Sequence, residues 1–142
     1  MVNLLIGPKG SGKTPDLIED ANQKEKVEHG SVIFIKKSHR NTKEINYKIR
    51  TICMDDYPAV TTLDQYVGFL YGIYSSNSDI SQMFIDETLK IKDISIADIE
   101  DFIALLKDMS TEYNIDFSVS LSATKEEMKN IDTSQCNVIN YP

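Results

Sequence analysis

Gly7, Gly12, Lys13 and Thr14 stand at the spacing G-x-x-x-x-G-K-[ST], and the whole segment reads Gly7-Pro8-Lys9-Gly10-Ser11-Gly12-Lys13-Thr14. Residues of these types in this order can cradle a polyphosphate. Glycine lacks a Cβ and tolerates positive φ, so the backbone can fold tightly around an anion with several N–H groups turned inward. A helix that starts directly after the loop adds about half an elementary positive charge at its N-terminus. In that setting Lys13 reaches the β- and γ-phosphates of a nucleotide, and the Thr14 hydroxyl is a ligand for Mg²⁺. A Gly-Ser turn with a stray lysine is the competing reading. The flanks argue against it. The apolar run Val2-Asn3-Leu4-Leu5-Ile6 precedes the loop as a buried strand, and Asp16-Leu17-Ile18-Glu19-Asp20-Ala21 follows it as a helix.

A second pair of groups could complete such a site. Met83-Phe84-Ile85-Asp86-Glu87 is an apolar strand ending in two acids. In phosphate-loop enzymes a strand-terminal aspartate holds Mg²⁺, and a neighbouring glutamate can take a proton from a nucleophile or orient a water. Acids at strand ends are also common in solvated turns, so the pattern gains meaning only beside the glycine loop. The combination makes Thr14 and Asp86 the metal pair, and Lys13 and Glu87 the catalytic pair.

Other candidates are weaker. Lys36, Lys37, His39, Arg40, Lys43, Lys48 and Arg50 fall in one stretch against a single acid, Glu44. The stretch follows the carboxyl end of a strand, the edge along which open α/β sheets bind ligands. It could face an anionic substrate, and Arg40 or Arg50 could serve as an arginine finger; a solvated loop is the alternative. Ser120, Ser122 and Thr124 end a later strand near the expected γ-phosphate edge, with helix capping the simpler role for Thr124. Cys53 and Cys136 form no C-x-x-C pair and read as thiols in a reducing compartment. No metal-ligand cluster and no nucleophile–His–acid grouping is visible along the chain.

These groups need elements to position them. Val2–Ile6, Ser31–Ile35, Arg50–Met54, Gln82–Asp86, Ile115–Leu121 and Cys136–Ile139 read as strands, with Ala59–Thr61 weakly extended. Helices are expected over Lys13–His29, stopped by Gly30; over Leu63–Tyr74 behind a Thr62 cap; from the Ser95/Asp98 capping-box pattern to Tyr113; and from Thr124, paired with Glu127, to about Lys129. Within the second helix Phe69 and Tyr74 lie off the apolar stripe and could mark a partner surface. Alternating strands and helices predict an α/β fold of three layers, with a mostly parallel sheet of five or six strands.

Bulk properties agree with one nucleotide-binding domain spanning residues 1–142. The chain is 41% hydrophobic and 26% charged, enough for a core and ordinary for a globular protein. It shows no apolar run of membrane-spanning length and no signal-peptide pattern, so a cytoplasmic location without membrane contact is expected. A net charge of −7 opposes non-specific nucleic-acid binding, except through the basic loop 36–50.

The chain resembles the type II thymidine kinases in Gly7-Pro8-x-x-Ser11-Gly12-Lys13-Thr14 followed by Asp16-Leu17-Ile18, in Val32–Lys36, and in Phe84-Ile85-Asp86-Glu87. The resemblance implies a RecA-like P-loop NTPase core, with Asp86 serving Mg²⁺ and Glu87 as the base. Two departures stand out. Thr88-Leu89-Lys90 replaces the family's small residue, Gln and aromatic residue. The family's zinc ribbon and base-enclosing lasso have no counterpart here. The layout is also similar to small stand-alone bacterial ATP-binding proteins. The resemblance therefore implies Mg²⁺-dependent ATP binding with slow hydrolysis or phosphoryl transfer, in a regulatory or partner-coupled role, with a protein partner or a second copy as candidates. A nucleoside or small-molecule kinase and a non-catalytic nucleotide-binding module are the alternatives.

Overall fold

Side chains alternate across a strand, so a strand buried on both sides feeds two cores at once. A computed structural model describing residues 1–142 has this arrangement. In β1 (Val2–Gly7), Val2, Leu4 and Ile6 point to one face of the sheet and Leu5 to the other. The remaining strands are β2 (Ser31–Lys36), β3 (Arg50–Cys53), β4 (Ile80–Ile85), β5 (Asp116–Ser122) and β6 (Cys136–Asn140). They form one sheet in the order β3-β2-β4-β5-β1-β6, and every neighbouring pair is parallel. The chain is therefore α/β with a six-stranded parallel sheet between helices. β5 lies between β1 and β4.

Parallel neighbours require crossovers; helices supply most of them, while β2 and β3 are joined by the loop 37–49 with only a 3₁₀ turn over Thr42–Glu44. The helices are α1 (Lys13–Val27), α2 (Leu63–Ser76), α3 (Ile99–Tyr113) and the short α4 (Lys125–Met128). Leu17, Ile18 and Ala21 of α1 pack with Leu5, Val32, Phe34 and Phe84 on one face. Tyr66, Leu70 and Ile73 of α2 and Phe102, Ile103, Leu106 and Met109 of α3 cover the other face. Ile99, Phe102, Ile103, Leu106 and Met109 recur at three- and four-residue steps, the spacing that keeps them on one helical stripe. No helix is long and apolar enough to cross a membrane.

Several boundaries differ from the sequence expectations. α1 ends at Val27 rather than His29, with Glu28 already extended. Gly30 serves close approach instead of helix termination: a Cβ there would lie 2.6 Å from the Asp79 carbonyl oxygen. The Ser95/Asp98 capping box opens a 3₁₀ turn over Ile96–Asp98, and α3 begins only afterwards. The Thr62 cap and the Thr124 box form as expected, and Gln65 turns the Thr62 cap into a box as well. β4 starts two residues early and stops at Ile85, which leaves Asp86 just past the strand. Ala59–Thr61 forms no strand. Phe69 and Tyr74 are partly buried and pack on Tyr57 and Tyr113 at ring separations of 5.4 and 4.3 Å.

Candidate functional site

Register brings three strand ends together. Gly7 pairs with Ser122, and Ile85 pairs with both Ile35 and Val119. The loop after β1, the acids after β4 and the serines ending β5 therefore meet at the carboxyl edge of the sheet. Within the loop, Gly10 and Gly12 adopt φ of 79° and 100°, the left-handed region that only glycine enters readily. Gly12 gives α1 no side-chain cap. The backbone N–H groups of Lys9, Gly10, Gly12, Lys13 and Thr14 donate to no protein acceptor, while that of Ser11 bonds the Pro8 carbonyl at 3.3 Å. Unspent donors at a helix N-terminus favour an anion.

Lys13 is only 5% exposed. Its ammonium donates to the Gly7 carbonyl at 2.8 Å, the Pro8 carbonyl at 2.7 Å and Ser11 Oγ at 3.3 Å. Burial lowers its pKa, and the nearby Asp86 and Glu87 carboxylates oppose that shift. The lysine is thus folded back onto the loop that it would help to charge.

Asp86 is 7% exposed and has no ion-pair partner. Thr14 Oγ1 donates toward its two carboxylate oxygens at 3.2 and 3.1 Å, and Ser120 Oγ donates to Oδ1. Burial pushes the carboxyl pKa up, and the Ser120 hydroxyl opposes this. The carboxylate is hydrogen-bonded only by hydroxyls, and the cations nearest it, Lys13, Lys36 and Lys90, act on it through space without a direct ion pair. Two hard oxygen donors, one of them anionic, suit Mg²⁺. Thr14 and Asp86 would hold it.

Glu87 follows with φ of 61°, an uncommon conformation for a side-chain-bearing residue. Its N–H donates to Ser120 Oγ at 3.1 Å. Ser120 therefore accepts from one acid's backbone and donates to the other's side chain, which fixes the pair. Lys90 Nζ holds Glu87 Oε1 at 2.8 Å, and Oε2 has no partner. Ser120 and Ser122 line the cleft, whereas Thr124 caps α4, accepting from Glu127 N at 3.1 Å.

A cleft of about 250 Å³ runs between these groups, with Lys9, Lys13, Lys36, Arg40 and Lys90 set against Asp86 and Glu87. Ile18 and Phe34 are the hydrophobic side chains in its lining. In a chain of net charge −7, this local excess of cations gives one edge a positive balance, which favours anions. Part of the basic loop contributes. Lys36 is buried and donates to the Arg40 carbonyl and, at 3.0 Å, to Thr42 Oγ1. Ile45 and Ile49 bury beside α1, and Asn22 bonds Glu44 O and Asn46 N, each at 2.8 Å. The loop is packed, not free. Arg40 reaches the cleft, but Arg50 starts β3 and sits at the opposite edge of the sheet. As an arginine finger within the chain, Arg50 is excluded by that position.

Neither protein-family models nor curated proteins give a match to the chain.

Tyr141 escaped the sequence reading altogether. Its N–H donates to the Ile6 carbonyl at 2.8 Å, and its phenol donates to Asp16 Oδ2 at 2.6 Å. A Cβ on Gly7 would lie 2.6 Å from Tyr141 Cβ, so the first glycine of the loop is required by this contact. Burial and the Asp16 carboxylate push the phenol up to about 12, and it stays a donor at neutral pH. Tyr141→Phe is expected to lower stability by about 1 kcal/mol, the worth of one partly exposed hydrogen bond. A urea titration measures this, and no change in midpoint would show that the bond contributes nothing.

Proposed function

We propose that this protein is a P-loop NTPase of the RecA-like, thymidine kinase-like kind. It binds ATP with Mg²⁺ at the carboxyl edge and hydrolyses it slowly or passes on its terminal phosphoryl group. One observation carries the reading. Thr14 and Asp86, 72 positions apart, meet at 3.1 to 3.2 Å beside a loop whose N–H groups are unspent. The strand between β1 and β4 supports the RecA-like assignment.

The roles follow from position. The N–H groups from Lys9 to Thr14 bind phosphate oxygens. Lys13 turns from the loop carbonyls to the β- and γ-phosphates. Glu87 Oε2 takes the proton of the attacking water or hydroxyl, while Lys90 and Ser120 keep the residue in place. Mg²⁺, when bound, would add to the cationic side chains in neutralising phosphate charge beside the Asp86 and Glu87 carboxylates. The role is regulatory or partner-coupled, in the cytoplasm. Transfer to an anionic small molecule is the second reading, favoured by the cationic wall of Lys36, Arg40 and Lys90.

Asp86→Asn tests the metal assignment. The change removes a buried charge but keeps the shape, so stability in metal-free buffer does not fall. ATP affinity in native protein is expected to rise about tenfold on adding millimolar Mg²⁺, a gain of about 1.4 kcal/mol. The variant loses that gain. Titrations of ATP with and without Mg²⁺, beside urea curves, read both effects. An Asp86→Asn chain that keeps its full Mg²⁺ response contradicts the assignment.

A further inference from the structure

A second cluster of ligating side chains lies outside the phosphate cleft. His39 stands in the basic loop, Cys53 is the last residue of β3, and Asp56 ends the 3₁₀ turn that follows. One ligand atom from each lies within 4.8 Å of the others. We propose that His39, Cys53 and Asp56 form a zinc site at the carboxyl ends of β2 and β3.

The surroundings are already set for it. Lys36 of β2 pairs with Cys53 of β3, so the chain leaves both strands side by side. Asp55 N donates to the Lys37 carbonyl at 3.0 Å, and Lys37 forms an ion pair with the Asp55 side chain. This double clasp brings residue 39 over residues 53 and 56. His39 Nε2 and Asp56 Oδ1 are 2.8 Å apart. The Cys53 thiol has one weak partner, the Lys37 carbonyl at 3.5 Å. Cys53 is buried, whereas His39 and Asp56 are exposed, so the cluster is open to solvent on one side only.

The donor set selects the metal. Thiolate, imidazole and carboxylate together suit Zn²⁺ rather than Mg²⁺ or Ca²⁺. Tetrahedral zinc–ligand bonds of roughly 2.0 to 2.3 Å set ligand atoms about 3.3 to 3.8 Å apart, so the exposed His39 and Asp56 side chains open slightly from their 2.8 Å contact and close on Cys53. Three protein ligands leave a fourth position for water. On binding, Cys53 Sγ loses its proton to solvent, His39 gives a ring-nitrogen lone pair and Asp56 gives an oxygen. A zinc ion there ties the loop that carries Arg40 to the end of β3. The proposal is independent of ATP binding.

The test is metal binding to the full chain in excess Mg²⁺, which occupies the oxygen donors Thr14 and Asp86. Native protein is expected to bind one Zn²⁺, and Co²⁺ in its place is expected to give a thiolate-to-cobalt charge-transfer band. Cys53→Ser removes the band, while Cys136→Ser and Asp86→Asn keep it. His39→Ala and Asp56→Ala, both on the surface and harmless to folding, each weaken Zn²⁺ binding by at least about tenfold. A native chain that binds no Zn²⁺ overturns the proposal. So does a band that persists in Cys53→Ser or disappears in Cys136→Ser, or unchanged affinity in either surface variant.

Discussion

Glu87→Gln is expected to lower ATP turnover by roughly 10²- to 10⁴-fold and to leave ATP affinity within a few-fold of native. The substitution keeps the shape of the side chain and removes its capacity to accept a proton. The charge acts on Lys13, Lys36 and Asp86 only through space, and no hydrogen bond that positions residues 86 and 87 depends on it. Ser120 holds residue 87 through the backbone N–H, and Asp86 is held through its own hydroxyl contacts. The Lys90 contact weakens from an ion pair to a neutral hydrogen bond, on a side chain already partly exposed. Steady-state turnover and equilibrium ATP binding separate the two effects. Native turnover in the variant would assign the proton to another group or make the chain a non-catalytic binding module.

Lys13→Ala is the second large effect. The lysine ammonium can make charge-assisted hydrogen bonds to two phosphates, each worth roughly 1.5 to 3 kcal/mol. Free lysine already satisfies three donors within the loop, so part of that energy is spent on exchange. A net loss of about 3 kcal/mol remains, near a hundredfold in affinity. Folding stability should change far less, because the variant also removes a buried charge that burial disfavours. Titration with ATP and a urea curve on the same sample distinguish the outcomes. Equal losses in both would make Lys13 a folding residue, not a ligand-binding one.

The legible parts of this molecule were the local ones. The phosphate-loop pattern, the apolar runs of β1, β2 and β4, and the amphipathic stripes of α2 and α3 each declare themselves within about fifteen consecutive residues. Asp86 could be singled out because an apolar strand ends there. What escaped depends on register and on chain segments far apart. Ser120 looked like one of several strand-end hydroxyls, and only the pairing of β4 with β5 makes it the clamp on Asp86 and Glu87. Lys90 needed the left-handed turn at Glu87 to reach that carboxylate.

Other misreadings share this cause. Tyr141 reaches the loop only because β6 joins the free edge of β1. Gly30 read as a helix terminator, yet its constraint comes from Asp79, across the β2–β4 pair. Arg50 belonged to the basic stretch in sequence, but β3 carries it to the opposite edge of the sheet. His39, Cys53 and Asp56 form no ligand pattern along the chain, and only parallel pairing of β2 with β3 gathers them.

Direct calorimetric titration of the folded native chain with ATP in the presence of Mg²⁺ tests the central claim most simply. Binding of one ATP per chain, weakened when Mg²⁺ is withdrawn, is the expected result. A well-folded sample, supplied with Mg²⁺, that takes up no nucleoside triphosphate would contradict it.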